Sequence, residues 1–479
     1  MTTKKFDLKR TLFILLGPAI YLGTILLLEN SFGYEAASAV GVSAWMITWW
    51  VTGPVGVGVG ALVPALVNSL FKFTDMGAII SQYSSETVIL LFGAGILTMP
   101  WAKIGLDRRI ALFALRVVGP SLKWQMATWF GVSCVISTVL PNFATIALIT
   151  PVAVSMIKEL DGKDATESSL TTSILSPIVI GSCIGGGITP LGGAMNIIAM
   201  EHMSIAGNAE FLFSDWVLRI APFLFIIGLI EAVVIAYVPT KIKRLEGTRE
   251  YFTTKYNELG KMSRDEKIYL SLFVIAASLC FLRPLYVGIL PAYTPTFALL
   301  SFGMLGFILK DSKGEVYLTF EYATKNMTWN VLFIVAGAGI MGSILNSSGA
   351  ISQFANLIQG INVGNDFGLL FMLILIGSLL PQFAASTTTA GVVVPLALAV
   401  TSALGENPVP YTLATIIAFS APQLGPVGQG IALGNGANLN EVLKRGIPVL
   451  ITHIILTTVL CYLAMQYIPM FSTIPGLNL

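Results

Sequence analysis

Two long runs without charge dominate the sequence and restrict what it can fold into. Residues 124–157 and residues 367–405 contain no Asp, Glu, Lys or Arg. Only 11% of the whole chain is charged and 55% is hydrophobic, whereas about 25% of a soluble protein is charged. Apolar windows of about 18–25 residues are typical of membrane-spanning helices. The sequence therefore predicts an all-α polytopic membrane protein.

Basic residues set the expected orientation, because Lys and Arg concentrate on the cytoplasmic side. Lys4, Lys5, Lys9 and Arg10 place the N-terminus in the cytoplasm, and counting crossings from there leaves the C-terminus outside. The first apolar run is long enough to be a span and not a signal peptide. We expect 11 transmembrane helices, two of them broken, at 11–29, 39–52, 54–71, 85–103, 168–201, 214–238, 268–286, 290–309, 329–346, 408–440 and 446–468, with a charged loop at 240–267.

The two charge-free runs are predicted to be helical hairpins that enter from opposite sides. The first run lies between Lys123 and Lys158, so both of its ends are expected in the cytoplasm. The second lies between Asp366 and Glu406, without Lys or Arg, and is expected to enter from outside. Each arm has about 17–19 residues, at the short limit for spanning, so full crossing and re-entry both remain open.

The hairpins belong to an internal repeat at a shift of 244 residues. FGAGIL at 92–97 matches AGAGIM at 336–341, and Thr145 and Pro151 match Thr389 and Pro395 without a gap. Because the two copies have opposite charge surroundings, we interpret this as an inverted repeat. Such repeats in secondary transporters bring broken helices together at a central binding site.

Each predicted hairpin tip carries small polar groups at the start of its second arm. The first tip offers Asn142. The second offers Ser386, Thr387, Thr388 and Thr389. A helix N-terminus has unpaired N–H groups and about half a positive charge, which suits a carboxylate. Interhelical hydrogen bonds and helix caps are the structural alternative for each single residue.

Glycines interrupt both broken crossings and allow backbone groups to approach a ligand closely. They are Gly192 and Gly193 in GGGITPLGG at 185–193, and Gly425 in GPVGQG at 425–430. Four polar breaks in two symmetric pairs favour a binding function over four unrelated caps.

The polar runs contain no acid or base, which argues against several other functions. We see no buried carboxylate of the kind that proton pumps use, since Glu86 and Glu201 lie near span ends. His202 and His453 are each interpreted as single, satisfied side chains. Without a nucleophile–base pair or metal-ligand spacing, we expect neither an enzyme nor a metal site.

Three segments make the chain resemble the divalent anion/sodium symporter family, the carriers of succinate, malate, 2-oxoglutarate and citrate. WWVTGPV at 49–55 resembles the family's Trp-x-Thr-Glu-x-x-Pro region. FGAGILTMPWAKIGLDRRIAL at 92–112 resembles its Phe-Gly-Gly…Gly-Leu-x-x-Arg-Ile-Ala-Leu segment, the most specific of the three. CIGGGITPLGGAMN at 183–196 resembles its glycine-rich loop. The resemblance covers residues 40–446.

The resemblance implies a homodimer whose subunits each have a fixed scaffold and a transport unit that moves like an elevator. Carried over by position, the implied substrate contacts are Asn142, Phe143, Gly192, Gly193, Ser386, Thr387, Gly425 and Pro426. Thr388 is added to them as part of the polar run at the second tip. An implied sodium site falls on Ser137, Asn142 and Gly192.

The chain departs from the family pattern at both tips. Pro141 and Ala385 stand where the family has Ser, and Phe143 stands where it has Thr. Because the family's serines also help to build sodium sites, we expect sodium-independent exchange of dicarboxylates and a pocket narrowed by Phe143. A sodium-coupled symporter of dicarboxylates or citrate and a gated anion channel are the alternatives.

We expect a multi-pass protein of the plasma membrane, in a bacterium. The expected partners are a di- or tricarboxylate anion, the lipid bilayer and a second copy of the chain, with no nucleic acid. We expect no cofactor, and Na⁺ enters only in the symport alternative. The expected units are an N-terminal scaffold at 1–84, first-repeat transport elements at 85–213, linking helices at 214–328, second-repeat transport elements at 329–445 and a last span within 446–479.

Overall fold

The chain folds into helices throughout the part that the structure describes. This computed structural model describes residues 8–207, 209–240, 242–350, 353, 366–383 and 386–473. Within those ranges the β-structure is limited to isolated bridges, Ser121 with Arg244 and Lys310 with Val316. Six helices are long and apolar enough to cross a membrane, or seven if a bent pair counts as one span. The all-α class is confirmed, and the number of 11 transmembrane helices stays a prediction.

Short connections join the helices that precede the first hairpin. They are α1 (Leu8–Phe32), α2 (Tyr34–Thr52), α3 (Val57–Gly60), α4 (Val63–Phe71), α5 (Met76–Ser81), α6 (Glu86–Thr98), α7 (Pro100–Ile104) and α8 (Leu106–Leu115). The expected connection between residues 29 and 39 is wrong, because only Gly33 separates α1 from α2. Its φ of 78° and ψ of 160° are a combination essentially restricted to glycine, so the chain reverses there within one residue.

The first hairpin and the first broken crossing follow one another directly. Their helices are α9 (Leu122–Ser137), α10 (Asn142–Asp161), α11 (Thr171–Ile188) and α12 (Ala194–Gly207), followed by α13 (Phe213–Ala236). A single 3₁₀ turn, Pro190–Gly192, lies in the break between α11 and α12. The crossing therefore covers 171–207, six residues more at its outer end than the predicted 168–201, with its break at 189–193.

A linking region separates the two halves of the chain. It contains α14 (Thr248–Glu258), α15 (Arg264–Phe281), α16 (Arg283–Tyr286), α17 (Pro295–Met304), α18 (Phe320–Asn326) and α19 (Trp329–Ser347). The predicted loop at 240–267 is thus partly wrong, since it holds α14. Phe252 of that helix is buried and its ring lies 5.7 Å from the ring of Trp129. This apolar contact anchors an otherwise charged helix on the first hairpin.

The Arg-Ile-Ala-Leu segment that carries the family resemblance has a structural role. Arg109 forms a 2.6 Å ion pair with Glu266 and donates to the carbonyls of Leu259 and Gly260 at 3.1 and 3.0 Å. Burial acts to raise the pKa of Glu266, but hydrogen bonds from Arg109 and Ser263 outweigh it and hold that pKa below its ordinary value. Arg109 therefore fixes the connection between α14 and α15.

The second hairpin and broken crossing repeat the order of the first. Their helices are α20 (Asp366–Leu379), α21 (Ser386–Ala403), α22 (Pro408–Ala418) and α23 (Pro426–Gly434), followed by α24 (Leu439–Tyr467). The last helix begins seven residues before the predicted 446, because Asn438 caps it by accepting a hydrogen bond from the backbone N–H of Glu441 at 3.2 Å.

The two half-helices that lead into the breaks form the centre of the fold. Every residue from Thr171 to Gly187 in α11 is buried, and so is every residue of α22. A helix that is apolar on all sides is stable when other helices surround it. The breaks after α11 and α22 are therefore positioned inside a packed helical unit.

Candidate functional site

The first hairpin tip is a rigid turn between α9 and α10. Pro141 precedes α10 with a φ of −53° and a ψ of 144°, and its ring fixes that φ. The carbonyl of Leu140 accepts hydrogen bonds from the hydroxyls of Ser137 and Thr145, both at 3.3 Å. These contacts hold the tip without an ionised group.

Asn142 is the first residue of α10 and packs against the broken crossing. Ser137 Oγ donates to Asn142 Oδ1 at 3.0 Å. A β-carbon built on Gly186 would lie 1.7 Å from the same Oδ1, so only glycine fits opposite this amide. With Oδ1 engaged, Nδ2 of Asn142 has no partner within the described residues and can donate to a ligand.

The first loop lies under this tip. A β-carbon on Gly192 would be 2.6 Å from the carbonyl oxygens of both Ser137 and Gly186, so the loop backbone touches the end of α9. Asn196 Nδ2 donates to the carbonyls of Gly186 at 2.5 Å and Thr189 at 2.8 Å. The loop is thus closed on itself just before α12 begins at Ala194.

The second hairpin tip is held by side-chain amides. Gln423 Nε2 donates to Ser386 Oγ at 2.6 Å, and Ser386 is the first residue of α21. Gln382 Nε2 donates to the carbonyls of Ser378 at 3.0 Å and Pro422 at 2.9 Å. Its Oε1 accepts from the backbone N–H of Leu424 at 2.9 Å. Gln382 therefore joins the hairpin to the second loop.

The second loop approaches its hairpin as the first loop does. A β-carbon on Gly425 would lie 2.2 Å from the carbonyl oxygen of Gln382, the residue that ends the first arm. This matches the contact of Gly192 with Ser137. The tips are related by the predicted shift, 386 − 142 = 244, but the loop glycines by 425 − 192 = 233, so the two repeats differ by eleven residues between tip and loop.

The two half-sites are joined at the centre of the molecule. A β-carbon on Gly187 would lie 2.0 Å from Ser420 Oγ. Helix α12 packs along α21, and α11 packs along α23. Each broken crossing therefore contacts both its own hairpin and the opposite half of the chain.

The remaining predicted site residues take different positions. Thr387 is half-buried and Thr388 is buried in the first turn of α21, whereas Phe143 is 72% exposed. Gly193 lies in extended backbone next to Gly192, and Pro426 begins α23. Ala385 lies outside the described residues. The structure thus gathers Ser137, Asn142 and Gly192 in one half and Ser386 and Gly425 in the other.

Sequence reasoning overlooked three amides in the site: Asn196, Gln382 and Gln423. Two of them follow a proline, in PQ at 381–382 and at 422–423. An amide inside an apolar run is a detectable signal, because burying it without partners is unfavourable by roughly 2–7 kcal/mol. The GPVGQG segment was also misassigned as the break. Its residues from Pro426 onward are the first turns of α23.

The expectation that no buried carboxylate exists is wrong. Glu231 in α13 and His453 in α24 are both fully buried, and Glu231 Oε1 lies 2.8 Å from His453 Nδ1. The expected solitary His453 is therefore paired. The sequence did not reveal this pair because 222 residues separate its members and Glu231 stands alone in an apolar run.

Comparison with known proteins agrees with the resemblance noted from the motifs. Residues 47–470 match the model of a family described as "Citrate transporter". The chain is 22% identical over 486 positions to the "Sodium-dependent dicarboxylate transporter SdcS" of Staphylococcus saprophyticus, covering 96% of this chain and 92% of that protein. A protein of the same name from Staphylococcus aureus is 23% identical with the same coverage.

The fold also has a solved counterpart. The crystal structure of the Alcanivorax borkumensis YdaH transporter, described as having an unusual topology, superposes with a TM-score of 0.55 and covers 96% of this chain and 100% of that chain. Sequence identity between the two is 12%, so this similarity concerns the fold alone.

Proposed function

The chain belongs to the citrate transporter family, and we propose that it is a secondary transporter that exchanges small dicarboxylate anions, such as malate, succinate and 2-oxoglutarate, without sodium. The relatives from Staphylococcus support the dicarboxylate class, because their name assigns dicarboxylates to them. The proposal covers the substrate, the exchange mode and the movement that carries the site across the membrane.

The observation that carries the proposal is the pair of matched half-sites. In each half, a hairpin tip begins a helix with a small polar residue, Asn142 or Ser386, and a loop glycine packs on the hairpin backbone. Contact between Gly187 and Ser420 joins the halves. A dicarboxylate has two anionic ends, and a site with two similar polar ends is suited to bind both.

Helix N-termini provide the positive potential that such a dianion requires. Helices α10, α12, α21 and α23 begin at Asn142, Ala194, Ser386 and Pro426. Each N-terminus carries about half a positive charge and unpaired N–H donors. Within the described residues of both tips and loops no Lys or Arg occurs. Recognition by dipoles lets the ligand leave again without breaking a strong ion pair.

Exchange is favoured over sodium symport by the first tip. Pro141 offers neither a hydroxyl nor an N–H group at the position where the family has Ser, so one oxygen ligand for sodium is missing. Without a coupling ion, the site would change sides only when an anion neutralises its potential. Obligatory exchange of one dicarboxylate for another follows from that requirement.

An elevator movement is supported by the small residues between the two sets of helices. A β-carbon on Gly391 in α21 would lie 2.2 Å from the side chain of Ala338 in α19, so these helices meet with almost no side chain between them. Small residues allow helices in membranes to approach closely and present few obstacles to sliding. The movable unit in this proposal consists of α9–α13 and α20–α24. It differs from the transport elements expected from the sequence, because it leaves α6 and α19 in the scaffold and includes α13 and α24.

Sodium-coupled symport is the second candidate, because oxygen atoms gather at the first tip. The carbonyls of Ser137 and Gly186 converge on Gly192, and Asn142 Oδ1 and Ser137 Oγ lie 3.0 Å apart beside them. Unwound backbone carbonyls coordinate sodium in other secondary transporters. The name of the Staphylococcus relatives, sodium-dependent, points in the same direction.

A cavity of about 470 Å³ supports access to the first tip from the expected cytoplasmic side. It lies between α10 and α23 and begins at Ala147, about one helical turn beyond Phe143. Lys158 lines the far end, where its positive charge would attract an anion. The cavity is large enough for a dicarboxylate to pass.

The decisive experiment is uptake of labelled malate into proteoliposomes with and without internal malate, at several sodium concentrations. The exchange proposal predicts uptake that requires internal dicarboxylate and does not change with sodium. Sodium-driven uptake into empty vesicles would establish symport instead. Saturation-free conductance without counter-transport would identify a channel and contradict both transport mechanisms.

A further inference from the structure

A carboxylate and an imidazole meet inside the helical unit that carries both tips. Glu231 in α13 and His453 in α24 share one contact of 2.8 Å, and neither side chain is accessible to solvent. Glu231 Oε2 and His453 Nε2 have no hydrogen-bond partner in the described part of the chain. The hydroxyl of Thr457, one turn beyond His453, is also buried without a partner there. Several proton-binding atoms therefore remain available.

Two of the helices that pack against Glu231's helix each carry a thiol. Helix α13 packs along α9, which carries Cys134, and along α11, which carries Cys183. Gly228, one turn before Glu231, lies against the neighbour of Cys183, since a β-carbon there would be 3.0 Å from the Ile184 side chain. The other ionisable groups of α9, α20 and α22 occur within the first four residues of each helix: Lys123, Asp366 and Tyr411. No formal charge on these helices faces the pair to balance it.

The remaining contacting helices also leave the pair without a counter-ion. On α24, Arg445 and Cys461 lie two turns from His453 in opposite directions, and Arg445 pairs with Glu441 at 3.6 Å. The charged residues of α15 are confined to its first turn, at 264–267. The net charge of the pair is therefore set by its own protons.

The protons that the pair holds decide its charge. With one proton, Glu231 and His453 are neutral overall; loss of that proton leaves one negative charge and gain of a second leaves one positive charge. An unbalanced buried charge is unfavourable by several kcal/mol unless another charge compensates it. We propose that Glu231 and His453 form a proton-binding site whose occupancy is linked to anion binding at the hairpin tips.

The path from this pair to the tips is short. Cys134 lies three residues before Ser137 in α9, and Cys183 lies three residues before Gly186 in α11, so each helix rises only about 4.5 Å between them. Gly185 fixes the two helices together, since a β-carbon there would be 2.0 Å from the Cys134 carbonyl oxygen. Charge at Glu231 therefore acts on the anion site through a compact region of buried residues.

This inference rests on the proposed function, because it assumes an anion at the tips. The proton comes from water and forms one O–H or N–H bond, with no other bond changed. A bound dianion stabilises the more protonated pair, and by reciprocity the more protonated pair binds the dianion more tightly. Malate affinity should therefore increase as pH falls.

Proton binding can be tested without any transport assay. Infrared difference spectra of the purified full-length protein in detergent, recorded between about pH 5 and about pH 9, report the C=O stretch of a protonated carboxylic acid. We expect a pH-dependent band in the wild type that Glu231→Gln removes and Glu201→Gln, at a half-buried acid in α12, retains. A band that both variants retain would overturn the assignment of the proton to Glu231.

Linkage is tested by the pH dependence of malate affinity. Between about pH 6.5 and about pH 8.5, where carboxylic acids are ionised, wild-type Kd should fall about threefold to tenfold toward the acidic end. Glu231→Gln and His453→Gln should each bind malate with a nearly flat profile, and the exchanged pair Glu231→His with His453→Glu should regain the slope. Glu201→Gln should keep it.

The outcomes separate this inference from the proposed function. Equal slopes in wild type and both pair variants would overturn the linkage while malate binding stays intact. Absence of malate binding in the wild type would instead contradict the proposed substrate, and the infrared band would still decide whether the pair binds a proton. If Glu231→Gln fails to fold, His453→Gln and the exchanged pair give the same comparison.

Discussion

The two hairpin tips reach the same geometry through different chemistry. At the first tip, the backbone and a proline do most of the positioning, and Asn142 bonds within its own hairpin to Ser137. At the second, Gln423 reaches across from the loop to Ser386, and Gln382 reaches from the hairpin to the loop. The first tip is joined to its loop by a hydroxyl, since Thr189 Oγ1 donates to the carbonyl of Thr138, whereas the second depends on amide side chains that cross between segments.

Comparison of the two tips shows which structural feature both repeats share. Both loops place a glycine against the last carbonyl of the hairpin's first arm, Gly192 on Ser137 and Gly425 on Gln382. The polar side chains around these contacts differ in type and partner. Close backbone approach is therefore the common element, and the hydrogen-bonding groups are specific to each half.

We expect the largest loss of transport from substitution of the two loop glycines, because both halves of the site share their close backbone contact. Gly192→Ala would place a β-carbon 2.6 Å from a carbonyl oxygen, and Gly425→Ala would place one 2.2 Å away. The backbone must move to relieve this overlap, which destabilises the site by about 1–3 kcal/mol. We expect each variant to lose malate transport by roughly 100-fold, measured as kcat/KM in proteoliposomes.

Matched controls exist near both loop glycines, Gly193 in the first loop and Gly430 in α23 just after the second loop. The nearest atom to a β-carbon on Gly193 is 3.5 Å away, and none lies within 4 Å of Gly430. Gly193→Ala and Gly430→Ala should transport nearly as well as the wild type. Normal transport by Gly425→Ala, together with an inactive Gly192→Ala, would show that the halves are not equivalent.

Loss of the first tip's amide should have the next largest effect. Asn142→Ala removes a donor to the anion, while Ser137 keeps its hydrogen bond to the carbonyl of Leu140, so the tip stays folded. A hydrogen bond to a charged group contributes about 1.5–3 kcal/mol. We expect a decrease in kcat/KM of roughly 30-fold with an unchanged melting temperature. Unimpaired transport by this variant would remove Asn142 from the site.

The second tip should tolerate the equivalent truncation better. Ser386→Ala removes only the neutral partner of Gln423, a bond that contributes about 1 kcal/mol, so kcat/KM should fall by roughly fivefold. When kcat/KM is measured for both alanine variants in the same assay, the size of each loss shows which tip contributes more to anion binding. A larger loss in Ser386→Ala than in Asn142→Ala would reverse our assignment of the main anion donor.

Substitution of Phe143 should have the smallest effect of the four, and it should change substrate selectivity more than the transport rate. Its side chain is 72% exposed, so Phe143→Thr should alter the free energy of unfolding by less than about 0.5 kcal/mol. Replacing the ring widens the space beside the first tip. We expect the ratio of citrate to succinate uptake to rise about two- to threefold, with Thr387→Val serving as the comparison at the second tip. An unchanged ratio would show that Phe143 lies away from the substrate.

Part of this site could be predicted from local sequence signals. Pro141 and Asn142 inside a charge-free run marked the first tip, and the fixed shift located Ser386. The glycine-rich stretch indicated the first break. The second break was misplaced, because glycines in a helix and in a loop look alike in sequence, and only contact with Gln382 distinguishes Gly425.

Contacts between distant segments could not be predicted in the same way. Gln423 and Ser386 are 37 residues apart, and Glu231 and His453 are 222 residues apart. Neither pair shares a helix or a periodic pattern, so no local rule joins them. Glu231 in particular occupies one position in an apolar helix, where its partner is decided by the packing of α13 against α24.

The sequence by itself determined the membrane class, the two hairpins and the residues at their tips, because hydropathy, charge and helix-breaking residues act locally along the chain. The tertiary structure alone decided which carbonyl each loop glycine meets, which amides close the second half-site and that a buried acid faces a histidine. Those features depend on how helices pack across hundreds of residues, where a difference of one helical turn changes every partner.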